Sequence, residues 1–118
     1  METSLGFIDI MNRMNSYIQV ITTISSKVGA EKISEALING KLAACVQIAG
    51  PVKSIYRWKG KIETAKEWVC VIKTRKSLYE KVETAVKKIH PYEVPEIIAV
   101  PIAAANKDYL KWIKLNSE

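Results

Sequence analysis

Residues 42–74 read LAACVQIAGPVKSIYRWKGKIETAKEWVCVIKT, and the fold follows from how this stretch doubles back on itself. Leu42 to Trp58 is a long extended segment, interrupted once at Gly50-Pro51. Lys59-Gly60 supplies a tight turn, a weaker hairpin signal than Asn-Gly but sterically suited to one. Trp68 to Thr74 is the returning strand, reaching back to Ile62. A two-residue turn makes the pair antiparallel and sets Cys45 opposite a residue near Thr74, so Cys45 and Cys70 are not disulfide partners.

The flanking sequence supplies the other elements. Tyr17 to Ile24 is a strand rich in β-branched residues and free of Gly and Pro. Ser25 or Ser26 caps a helix that runs to about Asn39, with Gly40 as its left-handed stop. Ser77 and Glu80 have the spacing of a capping box. Beyond them Leu78, Val82, Ala85, Val86 and Ile89 recur at helical spacing, with Glu80, Lys81, Glu83, Lys87 and Lys88 on the opposite face. A last strand over Glu96 to Ile102 and a short helix from about Asn106 complete the chain.

Proline placement selects the strand order. A β-α-β-β-α-β chain with right-handed crossovers closes as an α+β, ferredoxin-like sandwich of order 4-1-3-2. That order leaves the second and fourth strands on the edges. Proline cannot donate to a sheet ladder and belongs on edges or at bulges. Pro51 lies in the second strand and Pro95 and Pro101 bracket the fourth, while the central strands contain none.

The second strand is too long for such a domain alone. Seventeen residues extend about 55 Å, whereas a helix of twelve covers about 18 Å. The hairpin tip, with Ile55, Tyr56, Trp58, Ile62 and Trp68, therefore projects past the helical layer. Alternation separates Tyr56 and Trp58 from Ile55 and Arg57. Exposed aromatics on an edge strand invite pairing with another chain. Folding back at Gly50-Pro51 onto the terminal helix is the intramolecular alternative; a bent edge is better suited to self-association, with Tyr56, Trp58 and Trp68 at the interface.

With 118 residues, 48% hydrophobic and 25% charged, the chain has the composition of one soluble domain of residues 16–118 behind a flexible N-terminal extension, residues 1–15. Glu2 and Asp9 interrupt the extension's short apolar run, and no basic leader precedes it, so it is not read as a secretory signal. No stretch approaches the ~18 apolar residues of a membrane span, and the expected location is the cytoplasm. The net charge of +6 is scattered, with modest clusters at Lys53/Arg57/Lys59/Lys61 and Lys73/Arg75/Lys76. A nucleic-acid stripe would be denser. Cys45 and Cys70 lie in apolar runs and read as reduced, buried, structural thiols.

Several chemistries are set aside. The five glycines are isolated, so there is neither a dinucleotide fingerprint nor a P-loop. Asp9 and Asp108, the only aspartates, lie near the chain ends and make a Ser-His-Asp triad implausible. Both cysteines lie within strands rather than at an exposed elbow beside His90. Glu93 and Glu96 resemble an acid-base pair, but odd spacing in an extended segment sends them to opposite sides. No enzyme motif survives. His90, the single histidine, lies in His90-Pro91-Tyr92-Glu93-Val94-Pro95-Glu96, where it is either a metal ligand or a structural cap on the preceding helix.

The words Lys41-Leu42-Ala43-Ala44-Cys45-Val46, Tyr56-x-Trp58-x-Gly60, Glu67 followed by Ile72-Lys73-Thr74, His90-Pro91-Tyr92-x-x-Pro95-Glu96 and Asn106-x-Asp108-Tyr109-x-x-Trp112 occur in this order. Together they resemble the CutA divalent-cation tolerance family over Tyr17 to about Asn116. The resemblance implies a ferredoxin-like fold that forms a homotrimer through its long hairpin strands, with an architecture similar to the PII signalling proteins. It also implies a role in tolerance to copper and other divalent cations rather than an enzymatic one. Copper ligands proposed in the family are a cysteine ending the first strand and two adjacent histidines opening the His-Pro-Tyr motif. Only the second histidine carries over, as His90; Ile89 and Thr22 stand at the other places. One imidazole with Glu93 or Glu96 would hold Cu²⁺ or another divalent cation weakly, unless a neighbouring subunit adds ligands. Two alternatives remain: PII-like clefts that bind a small anion through Lys73, Arg75 or Lys76, and a scaffold that docks another protein.

Overall fold

A computed structural model describes residues 16–118; the extension expected over residues 1–15 lies outside the described residues. The elements are β1 (Tyr17–Ile24), α1 (Lys27–Asn39), β2 (Cys45–Trp58), β3 (Lys61–Arg75), a 3₁₀ turn (Lys76–Leu78), α2 (Tyr79–Ile89), β4 (Ile97–Pro101) and α3 (Lys107–Leu115). The four-stranded sheet has the order β2-β3-β1-β4, with antiparallel neighbours throughout. This is the expected order 4-1-3-2 read from the other edge, and the prolines lie where it requires: Pro51 at an irregularity of edge strand β2 and Pro101 at the end of edge strand β4. No helix among the described residues is long and apolar enough to cross a membrane.

One face of the sheet carries the core. In β1 every second residue, Ile18, Val20, Thr22 and Ile24, is buried, as the period of a half-covered strand demands. Cys70 and Ile72 from β3 meet Ala30, Ile33 and Leu37 of α1 and Val82 and Val86 of α2. The helical residues recur at steps of three and four and so form one stripe on each helix. Full burial of each large aliphatic side chain contributes about 1.5–3 kcal/mol.

The helix ends depart from the sequence reading. Ser26, not Ser25, caps α1, its Oγ accepting from the Gly29 amide at 3.0 Å. Gly40 has right-handed geometry (φ −81°), and Lys41 takes the left-handed position (φ 56°). The Leu42 amide donates to Leu37 O and the Lys41 amide to Ile38 O, the two bonds of a Schellman ending that place the left-handed residue one step later. The capping box at Ser77 and Glu80 is absent. The chain leaves β3 through a 3₁₀ turn, and neither Arg75 nor Leu78 makes a side-chain cap bond. The Lys76 amide instead donates to Ser16 O at 2.8 Å, which starts the turn before Ser77 can act as a cap.

The hairpin turns at Lys59 (φ 49°) and Gly60 (φ 82°), positive at both centres as a type I′ turn requires. Pairing runs regularly from Trp58↔Lys61 to Val52↔Glu67 and resumes at Ala49↔Val69. Two residues, Gly50 and Pro51, thus oppose the single Trp68, the count of a β-bulge. Cys45 consequently faces Lys73, one position short of the Thr74 expected from the turn alone. Because β1 ends at Ile24, opposite Trp68, the hairpin beyond that point is a free two-stranded arm. The radius of gyration, 16.3 Å, exceeds the about 13 Å of a compact domain of similar length. Ile55 and Ile62 on the arm are 65% and 69% exposed. Trp68, expected on the projecting tip, packs against the core instead, at the root of the arm.

Candidate functional site

The turn after α2 folds back over the end of β1. His90 is 7% exposed. Its Nδ1 accepts from the Tyr92 amide at 3.2 Å, so the ring proton belongs on Nε2, which donates to Thr23 O at 2.6 Å. Both ring nitrogens are therefore engaged by backbone, and either would have to give up its partner to take a metal ion. The His90 ring also meets Tyr92 edge to face at 4.6 Å. The cap anticipated from sequence is made by the backbone, with the His90 amide donating to Val86 O at 2.9 Å; the side chain ties the turn to β1.

Tyr92 extends this tie to the root of the arm, donating from its hydroxyl to Glu67 Oε2 at 2.8 Å. Burial pushes the Tyr92 phenol above its ordinary value of 10.0, Glu67 reinforces this, and a hydrogen bond with Ser25 opposes it. The phenol thus stays protonated at neutral pH and keeps donating. Glu67, itself 6% exposed, was absent from the predicted site residues. Its signals in the sequence are a carboxylate opening the otherwise apolar run Trp68 to Ile72 and its place in one of the words that carry the family resemblance.

Between the arm and this turn lies an open cleft of about 560 Å³, walled by Tyr56 and Trp58 on one side and Tyr92, Glu93 and Glu96 on the other, with Thr23 and Glu67 between. Glu93 and Glu96 share the cleft rather than facing apart. The alternation rule fails because Pro91 to Pro95 is a bend, with strand geometry beginning only at Ile97. Three carboxylates thereby line one cavity. Among the described residues, however, no three His, Cys, Asp or Glu side chains converge closely enough to hold a metal ion within one chain.

Of the three predicted cations, Lys73 separates from Arg75 and Lys76. Lys73 turns to Gln47 across the β2–β3 ladder, its Nζ bonded to Oε1. Arg75 binds the C-terminal segment, from Nε to Ser117 Oγ at 3.2 Å and from Nη2 to Ser117 O at 2.9 Å. Arg75 and Lys76 line a groove beside α3 that Lys73 does not reach.

The thiols also differ. Cys70 is buried and Cys45 only partly so, because Cys45 pairs with Lys73 on the sheet face opposite α1 and α2. Burial pushes the Cys70 thiol above its ordinary 9.0, opposed by a hydrogen bond with Ser34. A thiol reagent is expected to label Cys45 first and Cys70 only on unfolding; equal rates in the folded protein would contradict the packing. The folded-state value lies above the unfolded one, so this stabilisation is complete below pH 9.0 and is lost as pH rises through the folded value. Tyr79, Tyr92 and Tyr109, raised chiefly by burial, extend the loss to higher pH. Urea midpoints should fall on the alkaline side, and a midpoint rising from about pH 8 to pH 10.5 would refute the sign.

A family model described as CutA1 divalent ion tolerance protein matches residues 18–116, which includes the arm, the turn and α3. The chain belongs to the CutA1 divalent ion tolerance family. Similar CutA relatives include the divalent-cation tolerance protein of Thermus thermophilus, 42% identical over 98 residues, 83% of this chain and 95% of that one. The human protein CutA is 42% identical over 98 residues, 83% of this chain and 54% of that one; the chain spans about half the length of this relative and of the chloroplastic rice one. Among solved CutA1 structures, that from Thermus thermophilus superposes with a TM-score of 0.85 at 40% identity, covering 86% of this chain and 99% of the other. The structure from Oryza sativa gives 0.85 at 39%, covering 89% and 96%. Of the three positions that the sequence resemblance connects with copper ligands, the two where the ligand type is lost are turned into the core. Thr22 is fully buried with no hydrogen-bond partner for Oγ1 among the described residues, and Ile89 packs against the core.

Proposed function

We propose that this CutA1 family member is a non-enzymatic homotrimer that holds divalent metal ions, Cu²⁺ among them, loosely at clefts completed by a neighbouring subunit, in support of divalent-cation tolerance. The observation that carries this reading is the cleft. It gathers Glu67, Glu93 and Glu96 against the exposed arm residues Tyr56 and Trp58, yet within one chain it lacks a closed ligand set. Carboxylates alone suit hard or intermediate cations and bind copper weakly. The arm leaves large apolar side chains in water, a liability removed by packing against another copy.

Light scattering at micromolar concentration is the expected measurement of assembly, with a mass of three chains for the wild type and dissociation or insolubility for Trp58→Glu. A monomeric wild type would overturn the trimer. Calorimetric titration with Cu²⁺ should show weak uptake, reduced by Glu93→Gln with Glu96→Gln. Tight stoichiometric uptake abolished by His90→Ala would overturn the assignment of ligands.

A further inference from the structure

We propose that the groove between α3 and the end of β3 is a binding site for a small molecule bearing several phosphate groups. It lies apart from the metal-ion cleft and does not rest on that reading. The groove, about 1000 Å³, is lined by Arg75 and Lys76 on one wall and Lys107, Lys111 and Lys114 on the other, and no carboxylate among the described residues lines it.

Among the described residues the positive charge there is not neutralised. Among the described residues none of the four lysines is ion-paired; the pairs present are Lys81–Glu118 and Lys87–Glu83. Arg75 is anchored to a hydroxyl and a carbonyl of Ser117, neutral acceptors that leave its charge in place. On α3, Lys107 and Lys111 are four apart and Lys111 and Lys114 three apart, so each pair repels across one helical turn. A lysine-bearing helix face is usually a solvated surface. Here it faces two further cations across a concavity, and a bound multivalent anion would relieve the repulsion.

The ligand class follows from number and shape. Five cations exceed what one carboxylate or one orthophosphate can balance, and lysines bind phosphate as point charges. The hydroxyls of Tyr17 and Ser77 also line the groove and can donate to phosphate oxygens. A concavity of this size suits a small molecule, whereas nucleic acid or a membrane would call for a longer basic surface.

The test is calorimetric titration of the full chain with inorganic tripolyphosphate at low salt. Saturable binding of one tripolyphosphate per chain is expected, falling as salt is added and about tenfold weaker in Lys111→Gln/Lys114→Gln. The charge-matched variant Lys27→Gln/Lys32→Gln, on α1, should bind as the wild type does. The proposal is overturned by absence of binding, by orthophosphate binding equally tightly, or by equal weakening in both double variants. Tighter binding of a single-stranded oligonucleotide or of phosphatidylserine vesicles, lost in Lys111→Gln/Lys114→Gln, would also overturn it by assigning the groove to a macromolecular partner.

Discussion

Replacing His90 with alanine is expected to destabilise the fold by about 2–4 kcal/mol while leaving Cu²⁺ affinity where it was. The side chain joins two backbone groups distant in sequence, Thr23 O through Nε2 at 2.6 Å and the Tyr92 amide through Nδ1 at 3.2 Å. Alanine leaves both unpaired in a largely buried place, and each orphaned group costs about 1–3 kcal/mol. Loss of the edge-to-face contact with Tyr92 adds a smaller amount. In a domain of this size the melting temperature should fall by roughly 10 °C or more. Tyr92 would also lose its anchor beside Glu67, so the turn bordering the cleft should exchange amide hydrogens faster. A melting temperature unchanged by the substitution, together with lost copper binding, would show that His90 is a ligand and not a tie.

Gly50→Ala is expected to be comparably severe, at about 2–5 kcal/mol, and to disturb the arm. A Cβ at Gly50 would lie 2.8 Å from Trp68 Cδ1, 3.0 Å from Glu67 O and 3.1 Å from Trp68 Cα, at a φ of +152°. Two of those atoms belong to the main chain of the paired strand and cannot swing away. Backbone strain contributes about 1–3 kcal/mol and overpacking a similar amount. The bulge also sets which side chains of β2 face which side, so relief by slipping the register one residue would invert the arm's faces. Gly60→Ala is the comparison. Its φ is +82° but nothing lies within 4 Å of the new Cβ, and only the left-handed penalty of about 1–2 kcal/mol remains. Equal shifts in the urea midpoint for the two variants would refute the steric account.

The alternating Ile18, Val20, Thr22 and Ile24, the helical stripe through Val82 and Val86, and the positions of Pro51 and Pro101 sufficed to read the sheet order and the projecting hairpin. These features are local: a period of two or of about three and a half, and a residue without an amide proton, restrict the backbone wherever they occur. Family membership was legible for a related reason, as short words in a set order survive without knowledge of contacts.

Features that depend on partners remote in the chain were decided by tertiary structure. Lys41 rather than Gly40 turns left-handed because the two Schellman bonds close one residue later, and the Glu118 amide holds Lys41 O from the far end of the chain at 2.7 Å. Ser77 lost its capping role to a bond between Lys76 and Ser16. The bulge at Gly50-Pro51 moved Cys45 from Thr74 to Lys73, a one-residue shift that turn length alone cannot reveal. The site shows the same division. His90 was conspicuous as a singleton, but only the folded turn shows both its nitrogens bonded to backbone. Likewise, the bend from Pro91 to Pro95 brings Glu93 and Glu96 to the side of Glu67, and the return of α3 places Lys107, Lys111 and Lys114 opposite Arg75 and Lys76. Sequence by itself determined the elements and their order, because propensity and periodicity act over a few residues. Which side chains meet across the clefts was left to tertiary structure, because such contacts depend on bends and registers set by packing far along the chain.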